Sequence, residues 1–509
     1  MGRLRNLRIA LVGGVVLAMA VMASAQITTG AVTGTVKDGQ GAVIPGATVT
    51  LISETRGTQL PDVISSAEGD FQFVNVPADR YTIQVTMSGF KTMKKTGIAV
   101  SPADRLGLGA LMIEIGGVTD TVVVQAETTA IQSQSGERSF TIPTKTVENL
   151  PIANRSFIAL ASLAPGVSTV GNPTRIGGGG DTNIMMDGVG VMDTGSNAPL
   201  LQMNVESIAE VKVLTSVYQA EYGRSSGLQI TAVTKSGTNQ FRGSAYDVQR
   251  NSDWNSNSKV NKLNGDAKTI LNEKDLGFSL GGPIGKPGGT NKLFFFYSQE
   301  FSPRTAGNDT QRFRVPTAAE RVGDFSNTLD QLGARYNFIR DPNQPGGCSA
   351  TDQTGCFNDG GVLGKIPANR LYQTGLNILK SFPMPNIADP GTNSYNYEIT
   401  RPSEKLRANQ PAIRIDYQPM QKLRGTFKYS GWSQQNKVIN GTIPGWNDTK
   451  QYKPVVSTLA VTVNYSLGPT TFLEATYGHS QNELTGCGLA QGGTGPTFCQ
   501  NGFPVNDIA

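Results

Sequence analysis

The sequence has little histidine, little charge and no histidine pair suited to a zinc-hydrolase helix. Its 509 residues include one histidine, His479, and only 16% of them are Asp, Glu, Lys or Arg. Such a helix needs two histidines one turn apart, and a serine triad would have to use His479, which lies in an alternating, strand-like run. No glycine-rich phosphate or dinucleotide loop joins a strand to a helix. We therefore expect no enzyme activity, no catalytic residue, no metal site and no cofactor.

The amino terminus has the three parts of an export signal. A basic stretch with three arginines precedes an apolar run from Ile9 to Val21, and residues 23–25 (A-S-A) supply a small-residue cleavage pattern. We predict a signal peptide over residues 1–25. The alternative is an uncleaved anchor, but the apolar run is shorter than the ~20 residues of a spanning helix. No later run approaches that length, so a membrane role would need a β-barrel.

The charge balance gives no indication of nucleic-acid binding. The net charge is +5, from 44 basic and 39 acidic residues, and it falls to +2 without the three arginines of the predicted signal. A nearly neutral chain lacks the basic surface that nucleic acid requires. The 60 glycines and the low hydrophobic fraction, 38%, are typical of an exported, turn-rich β protein. The length allows two or three domains.

The four cysteines form two close pairs, Cys348 with Cys356 and Cys487 with Cys499. In an exported protein, small disulfide loops are favoured over metal ligands. A zinc site built from all four cysteines is the alternative, but neither pair has the C-x-x-C spacing. We predict two disulfides.

Residues 26–117 alternate short strands with turns, which predicts a sandwich of six or seven strands with Tyr81, Ile83 and Val85 on one face. The motifs are G-T-V-K-D, I-P-G-A-T-V-T-L and G-D-F-Q-F-V-N-V-P-A-D-R-Y-T-I-Q-V. They resemble the carboxypeptidase regulatory-like family, whose transthyretin-like sandwich is related in fold to carbohydrate-binding modules. That family usually has a glycine where Asp79-Arg80 stands, so this turn is expected to differ. The resemblance implies no peptidase activity. A passive spacer and a ligand-binding module both remain open.

The segment from 118 to 127 contains a short β-prone run, D-T-V-V-V-Q-A. It resembles the TonB box, which pairs with an edge strand of the energy-coupling protein TonB by strand addition. The residues of this candidate box are Asp120, Thr121, Val122, Val123 and Val124. The alternative is the last strand of the preceding sandwich. The position of the run, directly before a plug-like region, favours the box.

Residues 128–237 carry short motifs whose order resembles the plug of TonB-dependent outer-membrane receptors. The motifs are E-N-L-P, N-R-S-F, L-A-P-G-V, N-I-M-M-D-G-V and E-Y-G-R. We predict that Asp187, Glu221 and Arg224 make polar contacts between the plug and the barrel wall. A solvated turn is the alternative for each of them.

Residues 238–509 alternate apolar and polar side chains, as barrel strands do. We predict seven strands, near 240–250, 275–282, 292–301, 411–418, 423–432, 457–467 and 471–481. Short and long connections alternate, as they do at the two ends of outer-membrane barrels, and the phase puts both cysteine pairs in outer loops. Bacterial barrels have an even number of strands, and the resembled family has about 22. We therefore expect this chain to be the front part of a longer protein or a truncated gene product.

The predicted fold class is all-β dominated: an N-terminal β-sandwich, a mixed α/β plug domain, and then the first strands of an incomplete transmembrane β-barrel. The order resembles the Oar-like group of TonB-dependent receptors. This resemblance implies an outer-membrane transporter with TonB, membrane lipid and a small-molecule or oligosaccharide ligand as partners, and no nucleic acid. Carbohydrate is the first expected substrate and an iron chelate the second. The alternatives are an outer-membrane adhesion or structural protein and, less favoured by the loop phase, a secreted β-sandwich array.

Overall fold

Strands dominate the computed structural model, which describes most of residues 29–488. The signal-peptide prediction falls outside the described residues. Within 29–488 the residues left out are 118–120, 126–135, 144–145, 148–154, 169–173, 177–180, 194–198, 202, 219–221, 224–225, 308, 331–332, 388–394, 401–402, 436–448 and 469–470. Over the described ranges, every helix is too short or too polar to cross a membrane.

The front of the chain is a two-sheet β-sandwich. Its sheets have the orders β4-β1-β7 and β3-β2-β5-β6-β8. The strands are β1 (Thr29–Asp38), β2 (Thr48–Ser53), β3 (Val63–Ile64), β4 (Asp70–Pro77), β5 (Asp79–Thr86), β6 (Thr92–Val100), β7 (Arg105–Ile113) and β8 (Thr121–Gln125). Along β5 the side chains of Tyr81, Ile83 and Val85 are buried in one core, as the alternation predicts.

The plug is built on a five-stranded sheet of order β13-β12-β15-β14-β9, in which β12 and β15 run parallel. A 3-10 helix, Phe157–Leu163, packs into the hydrophobic core of this domain. The strands are β9 (Arg138–Pro143), β10 (Val167–Ser168), β11 (Thr174–Arg175), β12 (Asn183–Met186), β13 (Val189–Gly190), β14 (Ile208–Ser216) and β15 (Gln229–Thr234). A short 3-10 turn, Val205–Ser207, leads into β14.

The third part is a wall of seven antiparallel strands that follow one another in chain order. They are β16 (Arg242–Asn251), β17 (Ile270–Pro283), β18 (Leu293–Gly307), β23 (Glu404–Met420), β24 (Leu423–Gln435), β25 (Thr449–Ser466) and β26 (Phe472–Gly488). The connections hold β19 (Thr310–Phe313), β20 (Asn358–Asp359), β21 (Val362–Leu363), β22 (Tyr397–Thr400), α1 (Lys259–Asn264), α2 (Gln373–Ser381) and the 3-10 turns Ser252–Trp254, Glu320–Val322 and Ala368–Arg370. Among the described residues β16 and β26 are the two edges, so the wall is an open sheet.

All seven predicted wall strands are present, and their faces differ as the alternation indicates. In β25 the side chains of Thr462 and Asn464 are buried, whereas Val463 and Tyr465 are exposed. Strands β18 and β23 extend further than predicted, because Ser302–Ala306 pairs with Glu404–Ala408 beyond the apolar run. The alternation in the sequence predicts which residues of a strand face the plug. It does not predict how far the polar ends of β18 and β23 stay paired.

The two ends of the wall differ in their connections. Residues 284–292, 421–422 and 467–471 are short turns at one end, while 252–269 and 308–403 hold long connections at the other. The residues between β24 and β25, 436–448, lie outside the described set. The front sandwich contacts the short-turn end. There the Gln418 side chain donates to the Gln59 carbonyl at 3.0 Å.

Candidate functional site: the junction of sandwich, plug and wall

The candidate box segment is an edge strand of the front sandwich. Strand β8 runs parallel to β6, with Thr92 opposite Thr121 and Thr96 opposite Gln125. Val123 is 64% exposed and Val124 45% exposed. Asp120, the first residue of the candidate box, lies outside the described residues. Thus the segment is both paired to the sandwich and accessible from solvent.

Asp187 lies in the tight turn between β12 and β13 and points at the wall. Asp187 and Gly188 both have positive φ, 51° and 85°, as a two-residue type I′ hairpin turn requires. The Asp187 carboxylate accepts hydrogen bonds from Thr234 and lies 3.0 Å from the Nζ of Lys428 in β24. Burial alone would raise its pKa, but the nearby Lys428 and Arg414 cations hold the pKa below its usual value. Glu221 and Arg224 lie outside the described residues.

Arg155 makes a second contact between plug and wall. It belongs to the N-R-S-F motif of the predicted plug, but no pattern in the sequence predicts its contact with the wall. Its guanidinium lies 3.3 Å from Glu300 of β18 and 3.9 Å from Asp275 of β17. It also lies over the Tyr246 ring of β16, 4.6 Å from the centroid, and the Tyr246 hydroxyl donates to Glu300 at 2.7 Å. Burial opposes the charge of Arg155, but Glu300 and the other acidic neighbours raise its pKa above the ordinary value. One plug side chain therefore contacts three successive wall strands.

The sandwich is joined to the plug by a buried lysine. Lys212, in β14, is 1% exposed. Its ammonium donates to Asp104 at 3.0 Å and to the Pro102 carbonyl at 3.1 Å in the sandwich, and to Glu137 at 2.9 Å just before β9. Burial disfavours the charge, yet Asp104 and Glu137 raise the pKa of Lys212. The lysine stays charged and holds the two domains at one point.

Glu210 lies on the same strand as Lys212 and contacts the same sandwich loop. Its carboxylate accepts a hydrogen bond from the Ser101 hydroxyl at 3.0 Å. Burial raises the pKa of Glu210 to about 7, and Asp104 adds to the rise, while Ser101 and Lys212 act in the other direction. This carboxyl therefore titrates near neutral pH at the contact between sandwich and plug.

Asp79-Arg80 stands where the carboxypeptidase regulatory-like family usually has a glycine, and Asp79 has a structural role. Asp79 accepts hydrogen bonds from Ser53 at 2.6 Å and Thr55 at 2.8 Å, and it lies 3.3 Å from Arg56. Arg56 in turn lies 3.8 Å from Asp416 of the wall strand β23. Burial opposes the charge of Arg56, but these carboxylates hold its pKa above the usual arginine value. The turn that differs from the family thus positions a side chain that reaches the wall.

A partly open cavity of about 80 Å³ lies between sandwich, plug and wall. Four cationic and two anionic side chains line it: Arg56, Arg414, Arg424, Lys428, Asp187 and Asp416. Most of these charges are paired across the junction, and Arg424 donates to the Asn75 carbonyl at 2.8 Å. The three domains are therefore held together here by polar contacts, which water can replace when the domains separate.

The connection between β18 and β23 carries the first of the two predicted cysteine pairs. Cys348 and Cys356 form a disulfide. The prediction that the second pair lies wholly in an outer loop is wrong, because Cys487 is still part of strand β26, where it pairs with Gln451. The Cys487 side chain is outside the described set, and Cys499 lies outside the described residues. In the same connection Arg370 forms an ion pair with Asp341. Across the described parts of the chain, no group of three or more His, Cys, Asp or Glu side chains is placed to hold a metal ion.

The open strand wall with a plug on its inner face is the architecture of an outer-membrane β-barrel protein. The chain belongs to this family, because residues 233–507 match the model described as outer membrane beta barrel domain. Residues 31–111 match the carboxypeptidase regulatory-like domain. Membership of the barrel family indicates an outer-membrane location.

A curated relative is the TonB-dependent transporter Oar of Myxococcus xanthus. It is 29% identical over 335 residues, which are 62% of this chain and 30% of the relative. The chain therefore spans less than a third of the length of this relative. The relative is described as a transporter, which agrees with the expectation of no enzyme activity.

Two solved structures of bacterial receptors are similar in part. A variant of the ferric enterobactin receptor PfeA of Pseudomonas aeruginosa, in complex with enterobactin, has a TM-score of 0.40 at 14% identity and covers 72% of this chain and 44% of its own. The siderophore receptor PirA of Acinetobacter baumannii has a TM-score of 0.39 at 14% identity, with 71% and 42% covered.

Proposed function

We propose that this chain is the front part of a TonB-dependent outer-membrane receptor, which binds a scarce solute and imports it when its plug moves. The observation that carries the proposal is the polar attachment of the plug to the inner face of the wall. Arg155 and Asp187 hold it through Glu300 and Lys428. Water can take over the hydrogen bonds of these side chains when the plug moves. The plug core also packs against Ala412, Val456 and Trp432 of the wall.

The candidate box supplies the second element of the proposal. The edge strand β8 precedes the plug and has exposed valines. Strand addition needs an extended segment with available backbone groups, and its affinity comes from main-chain hydrogen bonds. A force applied to β8 would be transmitted to the sandwich through its pairing with β6, and to the plug through the chain that follows β8. We therefore propose TonB as the periplasmic partner.

The test is binding of the purified periplasmic domain of TonB to the full chain in detergent, with Val123→Pro as the variant. Proline removes a backbone donor and prevents strand pairing on that side, so binding should fall at least tenfold. Val123→Thr is the matched control, because it keeps the donor and the β propensity, and it should bind like the unsubstituted chain. No binding by the unsubstituted, folded chain would remove TonB coupling and favour the adhesion alternative.

We propose that the solute, a carbohydrate or an iron chelate, binds at the long connections rather than at the sandwich. The sandwich lies at the short-turn end, away from the outer loops. The long connections expose aromatic rings: Trp254 is 69% and Tyr372 74% exposed. Such rings can stack on the apolar face of a sugar or on an aromatic chelator.

Calorimetric titration of the full chain with oligosaccharides and with ferric siderophores distinguishes the two substrate classes. Trp254→Ala should weaken binding of the correct class about tenfold. Tyr477→Ala is the matched control, since Tyr477 is an exposed aromatic residue on the lipid-facing side of the wall. Equal binding by both variants would argue against the long connections as the binding surface.

A further inference from the structure

The candidate box is already paired inside the protein. Strand β8 lies at the end of the sheet β3-β2-β5-β6-β8, so its one strand partner among the described residues is β6. The pairing covers five residues, with Met93 opposite Val122 and Lys94 opposite Val123. In a parallel pair, alternate residues direct their backbone groups to the same neighbour. Therefore about half of the β8 backbone groups point at β6 and half point outwards.

This strand has little side-chain burial to hold it in place. Thr121, Val123 and Val124 are exposed, and Val122 is half-buried. In the same sheet β5 buries three large apolar side chains. A strand held chiefly by backbone hydrogen bonds, each worth about 0.5–1.5 kcal/mol net, opens at a lower free energy than a core strand. Strand β8 can therefore leave the sheet while the sandwich stays folded.

We propose that β6 competes with the external partner for this segment: the front sandwich stores Thr121–Gln125 as its edge strand and limits strand addition until the segment is released. The inference rests on the proposed function, since the partner is the one named there. The outer edge of the stored strand offers only about half of the hydrogen bonds of the free segment. Because main-chain bonds supply the affinity, the released segment binds more tightly, and the apparent affinity falls with the fraction that is stored.

A disulfide lock between the two strands tests the proposal in the full chain. Lys94→Cys with Val123→Cys places two cysteines at directly opposed positions, where neighbouring strands are about 4.8 Å apart. This separation is within the range that a disulfide spans. The oxidised double variant should bind the periplasmic domain of TonB at least tenfold more weakly than its reduced form. Equal affinity in the two forms would overturn the inference, since it would show that the outer edge is sufficient.

The control lock is Thr50→Cys with Gln84→Cys, which joins β2 to β5 in the same sheet without touching β8. Its oxidation should leave the affinity unchanged. The unsubstituted chain is treated identically, because it contains the Cys348–Cys356 disulfide. If neither the unsubstituted chain nor the reduced variants bind the TonB domain, the proposed function is wrong. The proposed competition between β6 and TonB is then wrong as well.

Hydrogen exchange tests the storage step without any partner. The amides of Thr121–Gln125 that point at β6 should be protected, yet exchange at least tenfold faster than the paired amides of β5. Oxidation of the Lys94→Cys, Val123→Cys lock should slow them towards the β5 rate. Exchange as slow as that of β5 in the unlocked chain would overturn the inference even if TonB binds, because the strand would then be a fixed part of the sandwich.

Discussion

At the scale of single residues, the most consequential side chain is a lysine whose burial depends on a second domain. The V-K-V pattern around Lys212 is that of an ordinary half-buried strand, in which the lysine faces solvent. In the structure the sandwich loop from Ser101 to Asp104 covers it, and two carboxylates surround its ammonium. Local sequence contains no signal for such a contact, because the residues that bury Lys212 are about a hundred positions away.

Replacing Lys212 with methionine should weaken the joint between sandwich and plug. The substitution keeps the volume but leaves Asp104 and Glu137 facing each other without the ammonium, and breaking a buried pair in this way costs about 3–5 kcal/mol. Hydrogen exchange should accelerate in β14 and in the 101–104 loop. Lys37→Met, a substitution in β1, is the control and should leave both regions unchanged. Unaltered protection in Lys212→Met would show that the ion pairs do not hold the joint.

The Glu210 carboxyl should make this joint depend on pH. Its pKa is raised by burial to about 7, above the ordinary value of 4.5. The joined state therefore holds a proton that the separated state releases, so the joint loses stability as the pH rises from about 4.5 to about 7 and changes little above that. We expect protection of the 101–104 loop to increase about tenfold between pH 7 and pH 5, because the bound proton favours the joined state more strongly as the pH falls through this interval.

Glu210→Gln should remove most of this pH dependence, because the amide is neutral and can still accept the Ser101 hydrogen bond. His479→Gln is the control, because it removes the chain's single histidine, which lies in the wall strand β26 away from the contact between sandwich and plug. If the pH profile stays the same in Glu210→Gln and disappears in His479→Gln, Glu210 is not the group that causes the pH dependence.

At the scale of elements, strand identity could be predicted from the sequence, but the contacts between domains could not. Alternation in β25 and the run of valines in β8 are local patterns, and they indicate strands directly. Whether β8 is free or paired depends on β6, about thirty residues earlier. Arg155 follows an asparagine in a short motif with no period, so nothing local shows that it meets Glu300, 145 positions later.

The contact between Arg155 and Glu300 should give a measurable coupling free energy in a double-mutant cycle. Arg155→Met removes the cation from a site where the Glu300 side chain is 2% exposed, and Glu300→Gln removes the buried charge but can keep the Tyr246 hydrogen bond. A double-mutant cycle on the protease resistance of the plug should give a coupling of about 1–3 kcal/mol. Arg175→Met, a plug arginine without a carboxylate of the wall among its described contacts, is the control. If the two substitutions have additive effects, the Arg155–Glu300 contact does not help to attach the plug to the wall.

At the scale of the whole molecule, the three domains meet at the short-turn end of the wall. The sandwich touches the plug through Lys212 and the wall through Arg56, and the plug touches the wall through Arg155 and Asp187. A force on β8 would therefore act first on the sandwich and then on both of its neighbours. If the plug moves during transport, the contact of the sandwich with the wall has to loosen or to move with it.

Arg56 offers a direct test of the contact between sandwich and wall. It is 9% exposed and reaches from Asp79 in the sandwich to Asp416 in β23. Arg56→Met should leave the sandwich folded but accelerate hydrogen exchange in residues 416–424 at least tenfold, since Asp416 loses one of its cations. Arg80→Met is the matched control, because Arg80 is an exposed arginine next to Asp79 in β5 and should change nothing. If Arg56→Met also leaves residues 416–424 protected, the remaining Arg424 contact with Asn75 is sufficient, and the sandwich is held through Asn75 of β4 rather than by Arg56.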